Sequence, residues 1–248
     1  MEQLGDTDSW RQRIEDVDTV LNCVGILRQR GRETYDAVHR KAPTALAAAC
    51  KEQHKRFVHV SALGLDNLAK SRFLTSKLAG ETGIVEHGDD WIIVRPSLLD
   101  GLGGFGASWL RGVSRLPLFV VPANAKGRIA ALDVGDLGEA LARLALDDVE
   151  QLKLGQSRVF ELGGPEAWEF RDYILALRRT YTESPALCIT LPGLLARAGA
   201  HICDVFHFTP FSFGHWELLR HDNIPRNNRL PDLLGRSPIS VVSRNFLD

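Results

Sequence analysis

Short apolar runs recur along the chain, each followed by a segment long enough for a helix, and this alternation limits the fold more than any other feature of the sequence. Asp18 to Gly25 (DTVLNCVG) is a brief apolar run closed by glycine, with a strand expected over Thr19–Val24. Arg56–Val60, ending at Ser61, and Trp91–Val94, running on to Arg95, supply two more. Between them the pattern turns helical, from about Thr34 to Cys50 despite Pro43, and from Ser71 to about His87. Strands spaced by helices of this length make βαβ units, and those force parallel strands.

Further on, a glycine-rich loop at Gly101–Gly106 precedes a short helix around Trp109–Leu116. Arg128–Leu132 reads as a strand, and Asp133-Val134-Gly135-Asp136 opens a helix to Leu146 with Asp136 as its N-cap. Arg158–Leu162 is the next strand, closed by Gly163-Gly164-Pro165. Helical candidates follow at Glu169–Tyr181, Leu191–Val205 and Phe213–Arg220. The expected architecture is α/β, with a parallel-sheet body over residues 1–165. A mainly helical C-terminal lobe over 166–248 packs on it, beside Gly101–Leu116.

At 248 residues the chain can bury a sizeable core in one or two domains. Its 30 Lys and Arg against 31 Asp and Glu leave no concentrated basic face, so nucleic-acid binding is not expected. Cys23, Cys50, Cys188 and Cys203 lie too far apart for a metal knuckle and read as reduced thiols. MEQLGDTDSW has neither the basic flank nor the apolar core of a signal peptide. The longest charge-free stretch, Ser184–Ala196, contains Pro192 and falls short of the roughly 20 residues of a spanning helix. A cytoplasmic setting is expected.

Several local patterns have a bland reading beside a functional one. Gly101 to Gly106 matches GxGxxG, but it lies mid-chain after Arg95-Pro96-Ser97 rather than after a first strand, so a loop is expected there. His201, Cys203, Asp204 and His207, with His215 and His221, match no metal-ligand spacing, and no metal is expected. Phe206, Phe208, Phe211 and Phe213 are core by default, or an apolar patch for a membrane or partner. Phe73, Lys77 and Glu81 share one helical face. Lys77 there is either half of a surface pair with Glu81 or, with Ser61 at the C-terminal end of a strand, part of a ligand crevice.

The segments VDTVLNCVGIL, RFVHVSALG, SRFLTSKLAGE, WIIVRPSLLDGLGG, IAALDVGDLGEALARL and VFELGGPE, taken in order, resemble the atypical, extended branch of the short-chain dehydrogenase/reductase superfamily, including its NAD-dependent epimerase/dehydratase-like members. Within it the chain is similar to the accessory NAD(P)H-binding subunit of respiratory complex I and to bacterial NAD(P)-binding proteins associated with DoxX-like membrane proteins. The late segment HWELLRHDNIPRNNRLPDLLGRSP resembles their C-terminal lobe.

The resemblance implies a Rossmann fold carrying NAD or NADP. Asn22, Cys23, Val24 and Gly25 would form the loop against the adenosine half of the cofactor. Ser61 would be the active-site serine, with Ala62 as the alternative register. Lys77 would bind the nicotinamide ribose, Arg95, Pro96 and Ser97 would pass beside the nicotinamide, and Asp133 would begin the helix that closes the substrate side. Two departures stand out. The family's opening strand, glycine-rich turn and helix have no counterpart before residue 18, and Leu4-Gly5-Asp6 reads as the tail of its third strand. The expectation is therefore an N-terminally truncated chain with Thr19–Val24 as an exposed sheet edge and weak affinity for NAD(P)H. Phe73 stands where the family's YxxxK pattern has its tyrosine, which removes the acid while keeping the lysine.

The implied function is an NAD(P)-binding-type protein without turnover, serving as scaffold or regulator at a membrane redox complex or beside a DoxX-like membrane protein, peripheral to the inner face of that membrane. The alternatives are an oxidoreductase or epimerase acting on a small or quinone-like substrate, and an inactive fragment.

Overall fold

The computed structural model describes residues 5–65, 70–101, 104–147, 157–206 and 213–243; the side chains of residues 105, 200–206 and 213–215 fall outside that description. Helix α1 (Thr7–Arg13) leads to strand β1 (Thr19–Asn22), then a π-helical turn (Asp36–Lys41) that runs into α2 (Ala42–Glu52). There follow β2 (Arg56–Val60), α3 (Arg72–His87), β3 (Trp91–Pro96), β4 (Leu99–Asp100), α4 (Phe105–Arg115), β5 (Leu118–Pro122), β6 (Arg128–Ile129), β7 (Leu132–Asp133) and α5 (Val134–Leu146). The chain continues through β8 (Val159–Leu162), β9 (Trp168–Glu169), α6 (Phe170–Arg179), β10 (Leu187–Leu191), α7 (Gly193–Phe206), α8 (Phe213–Leu218) and α9 (Leu230–Leu234).

The central sheet is parallel, in the order β1-β2-β3-β8, as the βαβ alternation requires. Ile92, Ile93 and Val94 of β3 are all buried because helices cover both faces. On one face Val58, Ile92, Phe160 and Leu162 pack with Leu137, Leu141 and Leu144 of α5 and Leu233 of α9. On the other, Phe57 and Ile93 pack with Leu46 and Ala49 of α2 and Ile84 of α3. Strand β1 pairs only with β2, and its outer edge meets no strand among the described residues. It stops at Asn22 rather than Val24, because the Asn22 side-chain oxygen accepts the Val24 amide at 3.0 Å and turns the chain.

A second cluster surrounds the fully buried Tyr173. It joins α6 to Leu110 of α4, to Phe119 and Val121 of β5 and to Val241 near the C-terminus. Tyr173 donates to Asp100 at 2.7 Å, and Arg111 closes on the same carboxylate, so a buried ion pair pins α4 to this cluster. Strand β10 pairs with β5, so elements before and after residue 165 interleave here.

Three local expectations change. Asp133, not Asp136, caps α5, accepting from Gly135 and Asp136 amides at 2.8 and 3.0 Å. Asp136 lies one step inside, buried, and binds Arg236 at 2.8 Å and the Ile239 amide at 2.6 Å. The run Arg128–Leu132 breaks into β6, which pairs antiparallel with β9, and β7, which pairs parallel with β4. Gly5-Asp6 leads into α1, with Asp6 as its cap, rather than ending a strand; Leu4 lies outside the described residues, as do the side chains of His201, Cys203, Asp204, His207 and His215 and of Phe206, Phe208, Phe211 and Phe213.

Pro43 explains the entry to α2. It has no N–H for the His39 carbonyl, and the chain passes through a π turn, with the Ala42 amide donating to the Ala37 carbonyl. Helix α3 then presses its backbone against that carbonyl at Gly80, where a Cβ would collide with the His39 oxygen; a Cβ at Gly83 would likewise collide with Thr44 Oγ1. Gly80→Ala is expected to lower stability by about 1–3 kcal/mol through overpacking. Gly138→Ala, in open space on α5, is expected to raise it by about 0.5–1 kcal/mol. Urea unfolding of the two variants measures both, and equal effects would contradict the close helix approach.

Candidate functional site

Ser61 follows β2 directly, and Pro96 and Ser97 end β3, so two adjacent strand ends meet α3 at one mouth of the sheet. Ser71 caps α3 by accepting the Leu74 amide at 3.3 Å, and the Glu217 carboxylate accepts the Lys70 and Ser71 amides at 2.8 Å each. Phe73, Lys77 and Glu81 then fall on one face, as their spacing predicts.

Lys77 and Glu81 are both buried and do not form the surface pair considered above. Glu81 is taken by Arg95, whose Nε and Nη2 lie 3.0 and 2.5 Å from its oxygens. Lys77 Nζ sits 5.8 Å above the Phe73 ring, and it has no hydrogen bond or ion pair among the described residues. Burial brings its pKa down to about 8, with Glu81 pulling the other way.

Two histidines that the motif search passed over stand behind this lysine. His39 Nε2 accepts the Ile26 amide at 3.1 Å, so Nδ1 carries the proton and donates to Ser76 Oγ at 2.9 Å. The His39 ring stacks on Tyr35 at 5.3 Å and meets Phe73 edge-on at 5.5 Å. Asn22 donates to His59 Nδ1 at 3.0 Å across the β1–β2 pair. Burial, and then the Lys77 cation, hold both imidazoles down at about 3, so they are neutral. The Tyr35 hydroxyl donates to the Leu27 carbonyl at 3.0 Å. The loop after β1 is thus held at Asn22, Ile26 and Leu27, while Cys23 and Val24 are exposed. Gly25 lies against Lys77 Nζ and His39 Nε2, where a Cβ would make ordinary contacts of 3.7 and 3.8 Å.

Ser61, Phe73, Lys77, Pro96 and Ser97 line one cavity of about 460 Å³. Its walls are otherwise almost wholly apolar, including Leu27, Trp109, Leu110 and Phe170. Arg95 is not among them. It lines a neighbouring polar cavity of about 380 Å³ with Glu161, Glu217 and His221. Leu218 and Asn223 belong to both cavities. Asn223 accepts the Ser97 hydroxyl through its backbone oxygen at 2.7 Å across 126 residues, a contact with no sequence signal. The Ser61 hydroxyl is buried and has no partner among the described residues. Two donors thus stand without acceptors among the described residues, which suits a ligand bearing acceptor oxygens. Gly101 and Gly104 lead from β4 into α4, whose Gly106 lines this cavity; residues 102 and 103 fall outside the described residues.

Residues 2–103 match the model of a family described as NAD(P)H-binding. The NADPH-dependent quinone oxidoreductase of Escherichia coli, solved with NADPH, superposes with a TM-score of 0.67 at 15% identity, covering 97% of this chain and 79% of that one. The chain therefore has the Rossmann-like parallel α/β fold of such structures, and residues 2–103 are of the NAD(P)H-binding kind. It is homologous, at low identity, to NADH dehydrogenase (ubiquinone) 1 alpha subcomplex subunit 9, mitochondrial. The rat protein is 33% identical over 97 residues, which are 39% of this chain and 26% of that protein. The Arabidopsis thaliana protein is 22% identical over 223 residues, 88% of this chain and 54% of that protein. The match thus spans about a quarter of the rat relative and about half of the plant one.

The buried titratable groups make stability pH-dependent in two windows. An unfolded histidine titrates near 6.5 and these near 3, so the unfolded chain binds more protons in between; stability is full above about 6.5 and falls as the pH drops toward 3. His59→Gln is expected to flatten that acid limb in thermal melts. The unfolded lysine titrates near 10.5, so below about 8 the cost of burying the Lys77 cation is fully present. Lys77→Met is expected to raise stability at pH 7 by a few kcal/mol, about 3 at most. A lowered melting temperature would contradict the unpaired-cation geometry.

Proposed function

We propose that this chain is an NAD(P)-binding-type protein of weak affinity for the cofactor that does not turn it over, and that it serves as a scaffold or regulator at a membrane redox complex. When bound, the cofactor would supply a hydride donor or acceptor at its nicotinamide. Lys77 would bind the nicotinamide ribose and Ser61 would donate to the nicotinamide side. Pro96 and Ser97 would pass beside the ring, and Asn22 to Gly25 would form the loop toward the adenosine. Helix α5, begun at Asp133, would close the substrate side. Residues 1–165 would form the cofactor-binding body and 166–248 the lobe that covers it.

Phe73 is the observation that carries this reading. It stands one turn before Lys77, facing the cavity, with a ring and no titrating atom. The phenol whose ring meets it, Tyr35, spends its hydroxyl on the Leu27 carbonyl. The two histidines nearby are neutral and hydrogen-bonded elsewhere. A positioned acid or base is worth about 10²–10⁴ in rate. The redox-complex setting is supported by the homology to a complex I subunit. Among the described residues no helix is long and apolar enough to cross a membrane, so attachment would be peripheral to the inner face. A DoxX-like neighbour rests on the resemblance alone. The open apolar cavity favours a second reading, an oxidoreductase or epimerase with a small or quinone-like substrate.

The parent is expected to oxidise NADH or NADPH no faster than background against a panel of quinones, ketones and aldehydes. Phe73→Tyr is expected to raise the rate by at least about tenfold where a substrate fits. Brisk turnover by the parent, unimproved in the variant, would sink the non-catalytic reading. Tagged chain expressed in its own cells is expected to co-migrate with an NADH-oxidising membrane complex on native gels; migration only as free protein would remove the scaffold role.

A further inference from the structure

The cavity behind Phe73 suits a largely apolar ligand with one charged end. Its walls are leucines and aromatic rings, with Trp109 and Phe170 among them. Hydroxyls or phosphates against those walls would lose their water and gain no partner. Among the described lining residues, Lys77 is the one charged side chain. Every group that might answer its charge is committed or neutral. Glu81 is held by Arg95, and His39 and His59 carry no charge. Lys77 is 9% exposed, yet its ammonium has no hydrogen bond among the described residues.

The second donor is the Ser61 hydroxyl, in a residue 5% exposed and likewise without a partner among the described residues. Ser97, the other hydroxyl of the lining, is already spent on Asn223. Beyond the Lys77 cation and the Ser61 hydroxyl the described lining offers the Asn223 side chain and the Trp109 indole N–H, and no carboxylate. A carboxylate meets that set: it is acceptor-only, carries one negative charge and has two oxygens. A neutral carbonyl would leave the buried charge unanswered, and a phosphate dianion would bring two negative charges to one cation.

We infer that this cavity binds an apolar molecule ending in a single carboxylate, of the fatty-acid class. One carboxylate oxygen lies at Lys77 Nζ, the other accepts from Ser61, and the hydrocarbon runs between the leucines toward Trp109 and Phe170. The inference stands on the cavity and not on the dinucleotide reading, but both assign Lys77, so the two ligands compete for it.

Dodecanoate, its neutral analogue dodecanol, and NADPH are titrated separately into the purified chain by calorimetry, the first two below their aggregation limits. Dodecanoate is expected to bind one to one, about tenfold or more tighter than dodecanol, as charge-assisted hydrogen bonds allow. Lys77→Met, which removes only a buried charge, is expected to keep the fold and bind both compounds equally. Ser61→Ala is expected to weaken dodecanoate severalfold and leave dodecanol unchanged. Absence of saturable dodecanoate binding, equal affinity of the parent for both compounds, or a carboxylate preference that survives Lys77→Met would each overturn the inference. NADPH binding without dodecanoate binding would leave the dinucleotide reading standing alone, and the reverse result would leave the carboxylate site alone.

Discussion

The backbone contact between α3 and the π turn, at Gly80 and His39, sets the position of everything else at the site. Pro43 strips the His39 carbonyl of its helical donor, and a glycine on α3 lets the second helix close onto it. With α3 held there, Phe73 and Lys77 face the strand ends while Glu81 reaches Arg95. The same turn carries Tyr35 just before it and His39 within it, and their rings pack on Phe73 and tie down the loop after β1. One steric allowance thus places a cation, an aromatic wall and a loop together.

That placement works against stability. A buried ammonium with no bonded partner is held in the charged form only at a cost, and the ring of Phe73 at 5.8 Å returns a small part of it. The neighbouring imidazoles stay neutral for the same reason, since a proton on either would add like charge to a poorly solvated region. A fold keeps such an arrangement where a ligand repays it. Both readings of the site, a ribose or a carboxylate at Lys77, share this physical root.

The cavity is a product of α4, α6 and the late chain as much as of the sheet. Trp109 and Leu110 from α4, Phe170 from α6 and Leu218 and Asn223 from the late chain roof the strand ends. The buried Asp100–Arg111 pair and Tyr173 join α4 to α6 under this roof. Glu217 joins it to α3 by accepting the amides at that helix start.

Much of this was legible in the chain itself. The apolar runs at Thr19, Arg56 and Trp91, with helix-length spacers, dictated a parallel sheet because a short run between helices can only be buried on both faces. The i, i+4 spacing put Phe73, Lys77 and Glu81 on one side of a helix, and the loss of a hydroxyl at Phe73 was plain from its identity. Tertiary structure alone decided the rest. Whether Lys77 met Glu81 or was left alone depended on Arg95, which reaches Glu81 from a strand. The role of Asp136 passed from cap to buried anchor once Arg236, a hundred residues later, closed on it. His39 carried no pattern of its own, because its meaning lies in the Ile26 amide and the Ser76 hydroxyl that surround it. Local periodicity records which face of an element is buried; it holds no information on which distant side chain will arrive there to take or leave a charge.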